Sequence, residues 1–169
     1  MKYILILILL STSSLDTIAQ ESKKEQKNKE KDEKYKLILD LIQSGEFEFI
    51  GLRAAPRKGQ QIDLQSRPNY MRISNGKATA DLPYFGVAQN PGYGGDGGVY
   101  FDATPINYQV EENDKKRKIN VKFRMKEKME TYDCLLTVNS AENVTLSITS
   151  SRRSSITYYG SVTEYMKDE

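Results

Sequence analysis

Few side chains in this sequence could do chemistry. Its 169 residues include no histidine and one cysteine, so the usual general base at neutral pH and the commonest zinc ligand are missing together. Ser-His-Asp and Cys-His machinery are thereby excluded. Carboxylate pairs and Ser-Lys pairs remain. Glu46 and Glu48 stand two apart in an alternating stretch, which on a strand sets their carboxyls on one face at about 7 Å. That spacing falls near the one used in glycoside hydrolysis. The plainer reading, an outward polar face opposite Phe47 and Phe49, is adopted. Ser74-Asn75-Gly76-Lys77 spells S-x-x-K, yet serine enzymes of that type need the pair at a helix start and S-D-N and K-T-G elements elsewhere. Neither element occurs in this sequence.

Two other patterns invite a cofactor or a metal. Gly92-Tyr93-Gly94-Gly95-Asp96-Gly97 matches G-x-G-x-x-G, but the dinucleotide fingerprint requires a strand before it and a helix after it. Here Gly98 leads into strand-like Val99-Tyr100-Phe101. Asp96 among glycines resembles a calcium loop without the several carboxylates that calcium takes. No cofactor, no metal and no catalytic residue is therefore expected. Cys134 alternates with Tyr132, Leu136 and Val138 and reads as a small core residue.

Lys115-Lys116-Arg117-Lys118 and Arg152-Arg153 read as solvated turns; gripping envelope phosphates is the alternative. A net charge of +2 is too small to point to nucleic acid. The binding candidates lie in the glycine-rich stretch from Pro83 to Phe101, whose aromatic residues are Tyr84, Phe85, Tyr93 and Tyr100, with Asp96 beside them. Long loops on β scaffolds often carry function, and tyrosine offers a wide contact face with few rotamers to freeze. Tyr93, between glycines, is expected to be exposed, and Tyr84 and Phe85, next to a strand, to behave as core. The competing reading is a loop whose tyrosines plug a barrel end.

The elements that would position these residues follow from periodicity. Met1-Lys2, the apolar run Tyr3 to Leu10 and the small-x-small Thr17-Ile18-Ala19 form a secretory leader. The run falls well short of the roughly 20 residues a membrane span needs. Cleavage is expected after Ala19, giving a periplasmic or secreted protein with no membrane span. Residues 20–34 read as a charged helical spacer, with Ser22 and Glu25 as a capping box at its start and acid-first i, i+4 pairs such as Glu25–Lys29. Tyr35, Ile38, Leu39 and Ile42 share one helical stripe, and Gly45 supplies the stop. From Glu46 the period becomes 2, as in Ile119 to Met125 and Val144 to Ile148. Asn75-Gly76 signals a type I′ hairpin turn that pairs Ser74 with Lys77 and puts Met71, Ile73, Ala78, Ala80 and Leu82 on one face. Nine or ten strands, more than an open sheet holds without curling, predict an all-β fold. An antiparallel lipocalin-like β-barrel over residues 35–165 with one N-terminal helix is expected, a two-sheet sandwich being the alternative.

Leu82-Pro83-Tyr84-Phe85-Gly86, Gly94-Gly95-Asp96-Gly97-Gly98 and Ile156-Thr157-Tyr158-Tyr159-Gly160, with Asp63-Leu64 and Asn69-Tyr70, resemble a family of small exported proteins of unknown function from gram-negative bacteria. The resemblance covers roughly Gly45 to Val162. It implies a lipocalin-like barrel in the periplasm and no activity. The function expected is a non-catalytic envelope protein that binds a small ligand, or an envelope protein or glycan, through its Gly/Tyr-rich loop. A hydrolase using carboxylate or Ser-Lys chemistry is the alternative.

Overall fold

Alternation of apolar and polar residues after Gly45 builds an all-antiparallel half-barrel that follows one long helix in sequence among the described residues. The structure is a computed structural model that describes the backbone of residues 13–64, 69–86, 97–127, 130–139 and 143–166, and side chains from residue 23 onward within those spans. The apolar run Tyr3 to Leu10, Tyr93 and Asp96 lie outside the described residues. Helix α1 (Ser13–Ser44) precedes β1 (Phe47–Pro56), β2 (Ile62–Asp63), β3 (Tyr70–Ser74), β4 (Lys77–Leu82) and β5 (Val99–Ala103). Then follow β6 (Ile106–Asn113), β7 (Lys118–Glu127), β8 (Glu130–Asn139), β9 (Val144–Ser150) and β10 (Ile156–Glu164). The strands form one sheet in the order β5-β4-β3-β1-β10-β9-β8-β7-β6, with β2 pairing β1. The path of hydrogen bonds ends at β5 and β6, so the expected antiparallel barrel is realised as a half-barrel. The meander expected from Ile106 onward is the run β6 to β10.

Strand β1 joins the two halves, with β3 on one side and the last strand, β10, on the other. It carries a bulge between Gly51 and Arg53, where Gly51 N donates to Asn69 O at 2.8 Å and Leu64 N to Leu52 O at 3.0 Å. Opposite, Gly160 sits so near β1 that a Cβ there would meet Ile50 O at 1.9 Å. Only a residue without a side chain allows that approach.

The inward faces match the alternation. Phe47 and Phe49 are buried, as are Ile119, Val121, Phe123 and Met125, and Val144, Leu146 and Ile148. Cys134 is buried on the same face as Tyr132, Leu136 and Val138. The hairpin forms in the expected register, Ser74 opposite Lys77 and Ile73 opposite Ala78. Asn75 and Gly76 take φ of 51° and 70°, the two positive values a type I′ turn requires. Met71, Ile73, Ala78, Ala80 and Leu82 are all buried.

The chain divides into two units, residues 1–34 and 35–169. In the first, side chains 23 to 34 are all exposed, and Lys29 Nζ stands 3.6 Å from Glu25 Oε1. Ser22 and Glu25 do not start the helix, because the backbone is already helical from Ser13. A capping side chain has work only where the preceding turn leaves N–H groups unpaired. In the second unit Tyr35 and Ile42 are buried, with Ile38 and Leu39 partly buried against the same core. Each such side chain contributes about 1.5–3 kcal/mol when fully buried. Gly45 follows the last turn at φ 70°, its N–H donating to Ile42 O at 3.3 Å.

The docked turn is also held by polar contacts. Tyr35 OH donates to Asp114 Oδ1 at 2.9 Å and Gln43 Nε2 to Glu112 Oε1 at 2.6 Å. Burial, then the bond and charge of Asp114, push the Tyr35 phenol up to about 12. A folded-state value above the unfolded one of about 10 means that this stabilisation is complete below pH 10 and disappears as pH rises through 12. Tyr35→Phe should therefore melt below wild type at pH 8, and the gap should narrow between pH 10 and 12. Thermal melts across that range check this; a gap that stays constant would contradict the docking role of the hydroxyl.

Candidate functional site

Pairing of Leu82 with Val99 brings together the two ends of the glycine-rich stretch, Pro83–Gly86 and Gly97–Gly98. Neither end belongs to the sheet ladder, so their backbone groups need partners elsewhere. The β9–β10 turn and β10 itself supply them. Tyr158 OH donates to Pro83 O at 2.9 Å. Tyr84 OH donates to Ser154 O at 2.9 Å and lies 2.9 Å from Ser154 Oγ. Arg153 Nη1 donates to Gly97 O at 2.9 Å and to Gly98 O at 2.7 Å. Its guanidinium carbon sits 5.3 Å from the centre of the Tyr84 ring.

The same guanidinium is anchored from β8. Arg153 Nε and Nη2 each stand 3.0 Å from one oxygen of Glu130, the two-point geometry in which a planar fork meets a carboxylate. The Arg153 and Glu130 side chains are only 19% and 13% exposed, so water screens the pair weakly. Ser150 Oγ donates to Glu130 Oε1 and accepts the backbone N–H groups of Arg152 and Arg153 at 2.9 and 3.1 Å. Thr131 and Ser151 add bonds of 3.1 and 3.0 Å between β8 and the turn. Burial raises the Tyr158 and Tyr132 phenols, with Arg153 pulling partly the other way on both. Tyr158 therefore stays protonated and keeps donating to Pro83 O.

Of the candidate binding residues, the structure places three at this end. Tyr84 is half-buried, tied down through its hydroxyl. Phe85 is 43% and Tyr100 40% exposed. The expectation that Phe85 behaves as core is thus corrected, because Tyr84 is the ring held against the β9–β10 turn. Tyr100 faces out because its strand neighbours Val99 and Phe101 are buried and successive side chains point to opposite faces. Gly86 belongs to the arrangement, since a Cβ there would meet Tyr84 Oη at 2.2 Å. The remaining two candidates, Tyr93 and Asp96, lie outside the described residues.

Arg153 and Glu130 were not candidates. Arg152-Arg153 read as a solvated turn, and for Arg153 that is overturned by its part-burial and by its side-chain contacts with Gly97, Gly98, Glu130 and Tyr84. No local signal exposes the link, because Glu130 is 23 residues away and Gly98 55.

The patterns that suggested chemistry are absorbed by structure. Glu46 Oε1 accepts Asn75 N at 2.8 Å, and bonds from Ser74 and Asn75 hold its carboxyl below the usual range. Glu48 pairs with Arg72, whose guanidinium lies between the rings of Tyr70 and Tyr165 at 3.8 and 4.8 Å. Ser74 and Lys77 are hairpin partners. Burial pushes the Cys134 thiol up, away from the thiolate that reacts. Among the described residues no three His, Cys, Asp or Glu side chains gather to hold a metal ion. No helix there is long and apolar enough to cross a membrane.

Comparison with known proteins gives a consistent picture of the fold. The profile of the family described as a domain of unknown function, DUF4251, matches residues 29–162. The crystal structure of a DUF4251 family protein from Bacteroides eggerthii DSM 20697 superposes with a TM-score of 0.59 at 24% identity, covering 78% of this chain and 87% of that one. At that identity the likeness shows the fold alone. Among curated proteins none matches.

Arg153→Ala would leave the Glu130 carboxylate buried without its partner, and Gly97 and Gly98 without donors. A loss of roughly 2–4 kcal/mol is expected, somewhat below the cost of breaking a fully buried pair because both groups keep some solvent contact. Arg153→Lys, which keeps the charge and loses the fork, should fall between. Urea unfolding of the three proteins checks this, and a loss under about 0.5 kcal/mol for Arg153→Ala would make the pair a surface contact.

Proposed function

Because this chain belongs to the DUF4251 family, whose function is unknown, we propose on its geometry that it is a non-catalytic binding module of the cell envelope. Its binding surface is the end of the half-barrel around Tyr84, Phe85 and Tyr100, with Tyr93 and Asp96 of the intervening stretch as further contacts. The ligand is a small molecule, or an envelope protein or glycan that an aromatic face can stack against. One observation carries this reading. Arg153, Glu130, Ser154 and Tyr158 hold both ends of the stretch, while Phe85 and Tyr100 remain 43% and 40% exposed beside it. A rigid base under exposed rings lowers the ordering cost of binding. Nothing in the geometry favours the hydrolase reading, since the carboxylate and Ser-Lys candidates are engaged in the sheet.

The leader composition supports export, with removal after Ala19. In the cut chain Ser22 and Glu25 would lie within the first turn of the shortened helix, where a capping box regains unpaired N–H groups to satisfy. Intact mass of the protein recovered from its own host should correspond to residues 20–169. A species retaining Tyr3 to Leu10 would refute export by this route.

For binding, native mass spectrometry of protein purified from its host should show a retained small molecule or partner. Phe85→Ala and Tyr100→Ala should release it, weakening affinity by about 2 kcal/mol if the rings are anchors. Their stability should change by only about 0.5 kcal/mol, as exposed positions do. Tyr93→Ala should behave the same way. Retention undiminished in all three variants would remove the binding surface from this end of the fold.

A further inference from the structure

The half-barrel has a second feature, independent of the surface just described. The sheet begins and ends on successive segments of one run, β5 and β6, linked by Thr104-Pro105; β5 pairs β4 and β6 pairs β7. No ladder joins β5 to β7, and aromatic rings span the interior there instead. Phe101 on β5 meets Phe123 on β7 edge-on, with ring centres 6.4 Å apart, and Tyr132 on β8 at 6.0 Å. Tyr108 on β6 lies 6.2 Å from Phe123. Strand β6 carries a bulge beside it. Ile106 opposes Arg124 and Gln109 opposes Lys122, so β6 fits one extra residue there, with Asn107 at φ 54°. The extra residue flips the phase, leaving Ile106 45% exposed while Tyr108 keeps step with the inward Val110 against the core.

The Tyr108 hydroxyl is closed off from solvent and has no hydrogen-bond partner among the described residues. Burying a hydroxyl unpaired is costly, and a phenylalanine at this position would avoid it. Burial raises the phenol's pKa, so the group is a protonated donor without an acceptor. The β7 cations beside it, Lys122 and Arg124, are exposed and paired with Glu111 and Asp133 at 2.7 Å. Nothing there would compensate a buried anion.

We propose that the seam between β5 and β7 admits a small, neutral, largely apolar molecule whose carbonyl or ether oxygen accepts the Tyr108 hydroxyl. Its apolar body lies against Phe101, Phe123 and Tyr132. Two strand edges without mutual hydrogen bonds can part without breaking a ladder, which supplies the entry. A carboxylate ligand is disfavoured, because it would bring a charge with no cation to meet it.

Two neutral fluorescent probes test this on the full chain. Prodan, a naphthalene with a ketone, should bind saturably with a blue shift, and N-phenyl-1-naphthylamine, which has no carbonyl, should bind more weakly. Tyr108→Phe should melt at or above the wild-type temperature and lose about tenfold in Prodan affinity. Its affinity for N-phenyl-1-naphthylamine should stay within about twofold of wild type. Phe85→Ala should leave both probes unaffected, which separates this site from the aromatic end of the half-barrel. Absence of saturable Prodan binding, or equal Prodan affinity in Tyr108→Phe, would overturn the proposal. So would a lower melting temperature in Tyr108→Phe, which would show that the hydroxyl already holds a buried water.

Discussion

The fold depends on the close approach of β1 to β10. β1 is the first strand of the sheet and β10 the last, and their pairing runs from Phe47 opposite Glu164 to Pro56 opposite Ile156. Without it the hairpin side, β3 to β5, and the meander, β6 to β9, would share no ladder. Gly160 makes the approach feasible, since any Cβ would collide with Ile50 O. The contact is also the longest-range pairing in the sheet, its partners standing 100 to 117 positions apart, so the chain must close a long loop before this part of the ladder forms. The Gly51 bulge and the buried Asn69, whose side chain donates to Leu64 O at 2.7 Å, keep the strand satisfied where it bends.

The same economy of partners governs the far end. Segments outside a ladder carry backbone groups that must be paired or wetted, and here Arg153 does the pairing for Gly97 and Gly98. A lysine could carry the charge, but its single ammonium cannot serve two carbonyls and both oxygens of Glu130 in one plane. Three stretches that stand far apart in the sequence, around Leu82–Gly86, Gly97–Gly98 and Ile156–Gly160, thus meet in one network. Pro83 O bonds Tyr158, Tyr84 OH bonds Ser154, and Gly86 leaves space for the Tyr84 hydroxyl.

This network holds no histidine, and its carboxylate, Glu130, is already engaged. Without histidine, a proton-moving site would have to rest on carboxylates freed from other duties. Glu46, Glu48 and Glu130 are each committed to a turn amide, an arginine or an arginine and a serine. Among the described residues the buried side-chain group without a partner is a donor, the Tyr108 hydroxyl, on the strand that carries the β6 bulge. Recognition of a neutral acceptor fits such a group better than catalysis does.

Local rules determined much of this protein. Period-2 alternation located the strands, Asn75-Gly76 set the hairpin register to the residue, and the stripe Tyr35, Ile38, Leu39 and Ile42 marked the docked part of the helix. These features depend on neighbours within a few positions, where sterics and burial of one face dominate. The absence of histidine likewise limited the chemistry before any fold was known. Tertiary structure decided the rest. Whether the sheet closes depends on strands at its two ends, and the start of α1 depends on the turns before Ser22. Arg153 looked like a solvated turn because its partners lie 23 to 69 residues away. Phe85 looked like core because only the docking of Tyr84 settles which of two adjacent rings is held. Ile106 turned outward through a phase flip that its alternation with Tyr108 and Val110 does not encode. In each case the deciding energy is a hydrogen bond or a contact made across the fold, which sequence neighbours do not carry.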